Sequence, residues 1–373
     1  MSTLTKQINK KATKEQQEKI EKQVQYWQKE RATNNFLAGE KSALKVAKEL
    51  KANYQNTIAE IEEKINAFYG KYADENGMSL RAAKQYLNKG ELKNFKSYIE
   101  KMLKMGNKEN FSASEMTEFN RLYNKAKITR LEELQASIRG ELDKLTVETD
   151  KQVGDMLYNE YEDTYYRSVY DTQQVIGMDR AFSSMDRKVV EQAINTQWLA
   201  PNYSKNIWQN NTNTLTKMLN TEIPRGLTLG YNPKKLAKQV SKRMDIDYNN
   251  TVRVIRTEYS KIQNDASLEG YKAAGIKQYQ ILAALDERTC DICGEVYNGE
   301  IFNYDDAETG LNFPPFHPNC RCTTIAYFPK DEIDEMSDEE LDNIGFITYD
   351  EWKDGLVKLK DGKVIYKERR SKK

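Results

Sequence analysis

Between Leu44 and Phe68 the apolar residues recur three or four apart without a break: Leu44, Ala47, Leu50, Tyr54, Ile58, Ile61, Ile65 and Phe68. Side chains at that interval fall on one face of an α-helix, so the spacing predicts one long helix carrying a heptad-like stripe. It is expected to end in GKYADENGMS, where Gly70 and Gly77 stand among Asp and Asn, and Ser79 would cap a following helix, SLRAAKQYL. A second stripe, Leu131, Leu134, Ile138, Leu142, Leu145, Val153 and Met156, runs on through Tyr158, Tyr161 and Tyr165. This predicts a helix of more than about 35 residues. Such stripes pack against each other within one chain as a hairpin or bundle, or pair between copies, and periodicity alone leaves both open. Tyrosines at helical spacing can also stack on the bases of single strands. Glu160, Glu162 and Asp163 between them argue against that use.

The rest of the composition agrees with an extended helical part. Of the 373 residues, 38% are hydrophobic and 31% charged, and the mean hydropathy is -0.85. That balance suits long solvent-exposed helices better than one compact globule, over a length that permits two or three domains. The net charge of +1 sets up no global field toward nucleic acid or an anionic membrane, so any such binding needs a local patch. No apolar run long enough to span a bilayer is present and the first residues lack an apolar h-region, so a soluble chain with no membrane-spanning segment is expected.

The expected fold is mainly α: a long helical N-terminal region, hairpin or bundle, followed by a small α+β C-terminal module with a Cys/His cluster. The expected divisions are an elongated helical domain over 1–176, a helical connecting region over 177–247, the α+β module over 248–330 and a charged tail over 331–373. In the connecting region, Asn232 as cap and Pro233 at the first helical position open the helix NPKKLAKQVSKRMDI. It carries Lys234, Lys235, Lys238, Lys242 and Arg243, which with Arg369 and Arg370 of the terminal KERRSKK are the weak candidates for DNA contact. A solvated charged face is the plainer reading of both. A further helix from about Asn249 to Ala274 is closed by Gly275, and KQYQILAAL and TTIAYF read as strands. The stretch after Pro329 is acidic, then basic, with a short helical piece at TYDEWKDGL, and is expected to be a solvated or poorly ordered terminus.

All four cysteines and the single histidine fall in CDICGEVYNGEIFNYDDAETGLNFPPFHPNCRC, residues 290–322. Cys290 and Cys293 form a C-x2-C pair followed by Gly294, a spacing that lets a tight turn aim two thiolates at one tetrahedral ion. His317, Cys320 and Cys322 supply three more donors, so five compete for four places on a zinc ion. Cys290, Cys293, His317 and Cys320 are the favoured set, with Cys322 as substitute. Disulfides, or reduced thiols in a small β core, are the alternatives. A Cys–His nucleophile could use only His317, whose flanking cysteines favour the ligand role, so a closed structural zinc site and no enzymatic activity are expected.

These residues resemble a known family. LDERTCDICGEVYNGEIF followed by PPFHPNCRC is similar to the C-terminal signature of the phage Mu F-like head morphogenesis proteins, the minor head or minor capsid proteins of tailed phages. The shared positions are Asp286, Arg288, Thr289, Cys290, Cys293 and Gly299, then the run His317–Cys322. Upstream, RVIRTEYSKIQNDA resembles the family's preceding helix through Arg256, Thr257, Glu258 and Asn264, so the likeness covers roughly residues 185–330. Residues 1–180 match no motif individually. The resemblance implies a virion protein present in few copies inside the head near the portal, made in the host cytoplasm and needed for head assembly or infectivity. The portal protein, packaged double-stranded DNA and scaffold or major capsid protein are the implied partners, and ejection with the DNA is a family trait. Self-association through the helical stripes is a further possibility. Some relatives carry C-terminal toxin or ADP-ribosyltransferase domains, for which the residues after this signature leave no room; Arg256 and Glu258, two apart on a helix, read as polar contacts.

Overall fold

In a computed structural model, described here over residues 29–75, 130–178, 180–198, 201–228, 231–284, 289–329 and 348–367, three long helices dominate. They are α1 (Arg31–Glu75), α2 (Arg130–Ile176) and, later in the chain, the helix Pro233–Ala273. Between the last two lie the short strand β1 (Phe182–Ser183), α3 (Arg187–Asn195), α4 (Tyr203–Lys217), a π-helical turn at Met218–Glu222 and α5 (Ile223–Thr228). Pro233–Ala273 is therefore α6. Then come β2 (Gln278–Leu282), a second π-helical turn (Ile292–Tyr297), β3 (Ile301–Asn303), β4 (Thr323–Tyr327), α7 (Tyr349–Asp354), β5 (Leu356–Lys358) and β6 (Lys363–Tyr366). No helix among the described residues is long and apolar enough to cross a membrane. The expected helix after Ser79 lies outside the described residues.

The chain divides into two compact units. One comprises Val46–Gln152 and Ser204–Val252. Its core joins both predicted stripes: Tyr54, Ile61, Ile65 and Phe68 of α1 with Leu134, Ile138, Leu142 and Leu145 of α2, closed by Met218, Leu219, Leu236, Val240 and Met244. The stripes thus pair with each other inside one chain. Burying each aliphatic side chain contributes about 1.5–3 kcal/mol, which explains how helices so polar on average stay together. One polar network interrupts this core. The Tyr54 hydroxyl donates to Asp247 Oδ2 at 3.0 Å and also lies 3.0 Å from Thr251 Oγ1. Burial pushes Asp247 up to about 6, against the hydrogen bonds from Thr214 and Tyr54.

The other unit comprises Met1–Lys45, Val153–Tyr203 and Arg253–Lys373. It holds two antiparallel three-stranded sheets, β3-β2-β4 and β1-β6-β5. The predicted strands pair directly, with Gln278 opposite Tyr327 and Leu282 opposite Thr323. The sequence division at 247/248 falls inside α6, which runs unbroken because no Gly or Pro interrupts 244–252.

The expectation of a solvated or poorly ordered terminus is corrected for residues 348–367. Thr348 and Glu351 form a reciprocal capping box that starts α7. Trp352 is fully buried, stacks on Phe182 at 5.7 Å between ring centroids and donates its indole N–H to Gln173 Oε1 at 3.0 Å. β6 then pairs with β1. The high charge of this stretch masked an aromatic anchor. Arg369, Arg370 and the acidic run before 348 lie outside the described residues.

Candidate metal centre

The Cys290–Cys293 pair sits where the chain enters the second π-helical turn, and Gly294 N–H donates back to the Cys290 carbonyl at 2.9 Å. The second group of donors sits on a tight turn closed by Cys320 N–H to His317 O at 3.0 Å. Asn319 takes the left-handed conformation there, at φ 59°, which Asn tolerates better than most residues because its short side chain bonds locally.

These two turns bring five donors together. His317 Nε2 lies 3.3 Å from Cys290 Sγ and 3.2 Å from Cys293 Sγ, and Cys293 Sγ lies 3.9 Å from Cys320 Sγ. The donor atoms form two triads that share Cys293, one with Cys290 and His317, the other with Cys320 and Cys322, each within 4.8 Å. Tetrahedral zinc at ordinary bond lengths implies edges of about 3.8 Å between sulfurs and about 3.6 Å between sulfur and nitrogen. The observed separations are close to both, so the cluster could hold a metal ion. His317 Nδ1 is 2.9 Å from the Pro318 carbonyl oxygen, which can only accept. Nδ1 therefore carries the proton and Nε2 offers its lone pair toward the thiols, the tautomer a metal ligand needs.

The four cysteines are unpaired; Cys293, Cys320 and Cys322 are buried and Cys290 is half-buried. Their proton affinities are split. A hydrogen bond from the Cys322 thiol pulls Cys320 down to about 5, and the same contact, with burial, drives Cys322 up. Burial pushes Cys293 up to about 12, while the Cys293 backbone N–H draws Cys290 down. The cluster thus pairs two thiols that ionise more readily, Cys320 and Cys290, with two that burial and their neighbours hold protonated, Cys293 and Cys322.

The upstream motif grips this cluster from α6. Thr257 Oγ1 accepts the Asn319 backbone N–H at 3.0 Å, and Asn264 Nδ2 donates to the Cys322 carbonyl at 3.1 Å. Tyr271, one further turn pair along, donates its hydroxyl to Thr324 O at 2.8 Å. Residues 257, 264 and 271 recur every seven positions and so share one helix face. Sequence reading noted Thr257 and Asn264 only as matching residues and missed Tyr271; the seven-residue recurrence was the available signal. Glu258 is 4% exposed beneath Trp198, whose Nε1 is 3.4 Å from Glu258 Oε1, and burial pushes it up to about 7.

Comparison with known proteins agrees with this geometry. Residues 217–325, from the end of α4 into β4, match the family model described as Phage Mu protein F like protein. The chain carries a Mu F-like module. It is 26% identical over 220 residues to "Minor head protein GP7" of Bacillus phage SPP1, covering 54% of this chain and 71% of that protein. It is also 23% identical over 282 residues to "NAD(+)--arginine ADP-ribosyltransferase EFV" of Enterococcus faecalis, covering 71% of this chain and 56% of that protein. The chain thus spans little more than half the length of the transferase. No solved structure matches it.

The candidate DNA-binding residues lie elsewhere. Lys234, Lys235, Lys238 and Lys242 are exposed on the first turns of α6. Arg243 is half-buried, 3.7 Å from Glu222 Oε1, and the Lys235 ammonium sits 3.6 Å from the Tyr231 ring centroid. The four lysines form one exposed basic face.

Proposed function

We propose that this chain is a phage minor head protein that works by binding, with a structural zinc ion as the clasp of its Mu F-like module. The observation that carries the reading is the use made of the family's most specific residues. In the His317–Cys322 run the donor side chains turn toward Cys290 and Cys293, and the backbone at Asn319 and Cys322 is bonded to Thr257 and Asn264. Residues spent on holding two turns together are a scaffold's residues. Zinc, when bound, would supply a crosslink and a full complement of ionised thiolates. The favoured ligands are Cys290, Cys293, His317 and Cys320, with Cys322 close enough to substitute. The likeness to the SPP1 protein supports a place in the virion. On this reading the chain sits inside the head beside the portal protein, with scaffold or major capsid protein as further neighbours. The lysine face of α6 contacts packaged DNA and the chain leaves with it.

The transferase relative raises a second reading, an enzyme. Glu258, the glutamate of the motif helix, is 4% exposed and accepts the Trp198 indole N–H, the setting of an interior polar contact. We therefore place this chain among the binding proteins. Elemental analysis of protein purified without chelator should find about one zinc per chain. Four thiols that titrate freely in the folded protein, with no metal, would sink the clasp. Co-expression with the portal protein should give co-purification, and virions lacking the chain altogether would refute the head assignment.

A further inference from the structure

Residues 289–320 contain six carboxylate residues and no lysine or arginine. Asp291, Glu295, Glu300, Asp305, Asp306 and Glu308 are all exposed. The same stretch exposes large apolar side chains, with Ile292 at 55%, Val296 at 57%, Ile301 at 37% and Leu311 at 60%. Three of the four directly follow a carboxylate residue, in Asp291-Ile292, Glu295-Val296 and Glu300-Ile301. Ile292 and Val296 are four apart on the π-helical turn, and Ile301 is on β3, an edge strand of its sheet. Single exposed apolar residues are ordinary, but their concentration among charges is the composition of a docking face with apolar contacts and a polar rim.

The complementary chemistry is on the same chain. Lys234, Lys238 and Lys242 recur every four residues on α6, and Ile246, 45% exposed, continues the row. No carboxylate among the described residues pairs with these three lysines. A row of cations ending in an exposed isoleucine is what a surface of carboxylates interleaved with isoleucine and valine would take up.

We propose that the acidic, apolar face of residues 291–311 on one copy docks on the Lys234–Ile246 row of a second copy. The two faces differ, so each copy offers both halves of the contact, which either closes reciprocally across a two-fold axis or runs head-to-tail into a ring or open chain. Opposite charges steer the encounter and make it sensitive to salt, while the apolar residues hold it. The inference does not need the head-protein reading, but it competes with the DNA contact proposed above for the same lysine row.

Analytical ultracentrifugation of the full chain tests it. Self-association should appear as concentration rises in about 50 mM salt and weaken at least tenfold, roughly, in about 300 mM. A variant with Glu300→Lys and Glu308→Lys should be monomeric, as should one with Lys238→Glu and Lys242→Glu, each with unchanged circular dichroism. Mixed together, the two variants should associate again, because the intact lysine row of the first meets the intact acidic face of the second, and the two reversed faces match. A wild-type chain that stays monomeric at every concentration overturns the proposal. So does association that survives either double reversal, or a mixture that remains monomeric.

Discussion

The core around Ile61, Ile138 and Val240 and the core around Cys293, Cys320 and Tyr279 solve the same problem with different materials. The first is mainly aliphatic, drawn from helices whose apolar residues recur at helical spacing, and it closes chiefly by burial around the single Tyr54–Asp247–Thr251 network. The second lies under short strands of three to five residues, with thiols and tyrosines where a larger domain would place leucine. Its members are tied by specific bonds: Tyr271 to Thr324, Tyr279 to Asn312, Asn264 to Cys322. A small core contributes too little burial to be self-sufficient, and directional links make up the difference. The lesson is that stability in the helical unit should respond to volume, and in the cysteine unit to bonding partners.

The sharpest way to break this contrast is to remove the proposed metal. Chelation, or Cys293→Ser, should abolish the fold of the cysteine unit, since structural zinc supplies on the order of 10 kcal/mol in small modules. Most of the far-ultraviolet helical signal should survive. A single unshifted thermal transition with and without chelator would erase the distinction. Ile138→Ala probes the other side: deleting a fully buried side chain should cost about 2–5 kcal/mol in urea unfolding and leave zinc content unchanged.

A titration separates the units further. Burial raises Asp247 from 3.8 to about 6, so the folded chain holds that proton more tightly than the unfolded chain does. The stability it contributes is complete below about pH 4 and is lost as pH rises through about 6. Wild type should therefore gain about 1–3 kcal/mol over Asp247→Asn on going from pH 7 to 4, read from paired denaturation curves. Parallel curves would show that Asp247 keeps its ordinary affinity. Thr257→Val should have the smallest effect on stability, about 1–2 kcal/mol, by leaving the Asn319 N–H without its acceptor. Its larger signature is a metal affinity lowered by about 10–100-fold against a chromophoric chelator, with the helical unit untouched.

Much of the helical unit was legible residue by residue. Every stripe position from Ala47 to Phe68 is buried or half-buried, and Leu134 to Met156 likewise. Periodicity reports which face of a helix is dry, and that is all an aliphatic core requires. The same reasoning misjudged residues 348–367, because Trp352 and Tyr349 stand among Asp, Glu and Lys and have no repeat to reveal them. It also split α6 near DIDYNN, where in the structure the Tyr54 hydroxyl of α1 meets Asp247 and Thr251 and Tyr248 donates to the Ala47 carbonyl.

The sequence by itself determined that the chain is mainly helical, that its apolar stripes must be covered, and that five soft donors would meet within one short window. Those conclusions depend on spacing along a chain, which is local. Only the tertiary structure decided that the stripes cover each other, that the terminal segment returns to β1, and that Thr257 and Asn264 brace the cysteine loop. Each of these joins residues separated by tens to hundreds of positions, where the partner is selected by packing and hydrogen-bond geometry and leaves no period in the sequence.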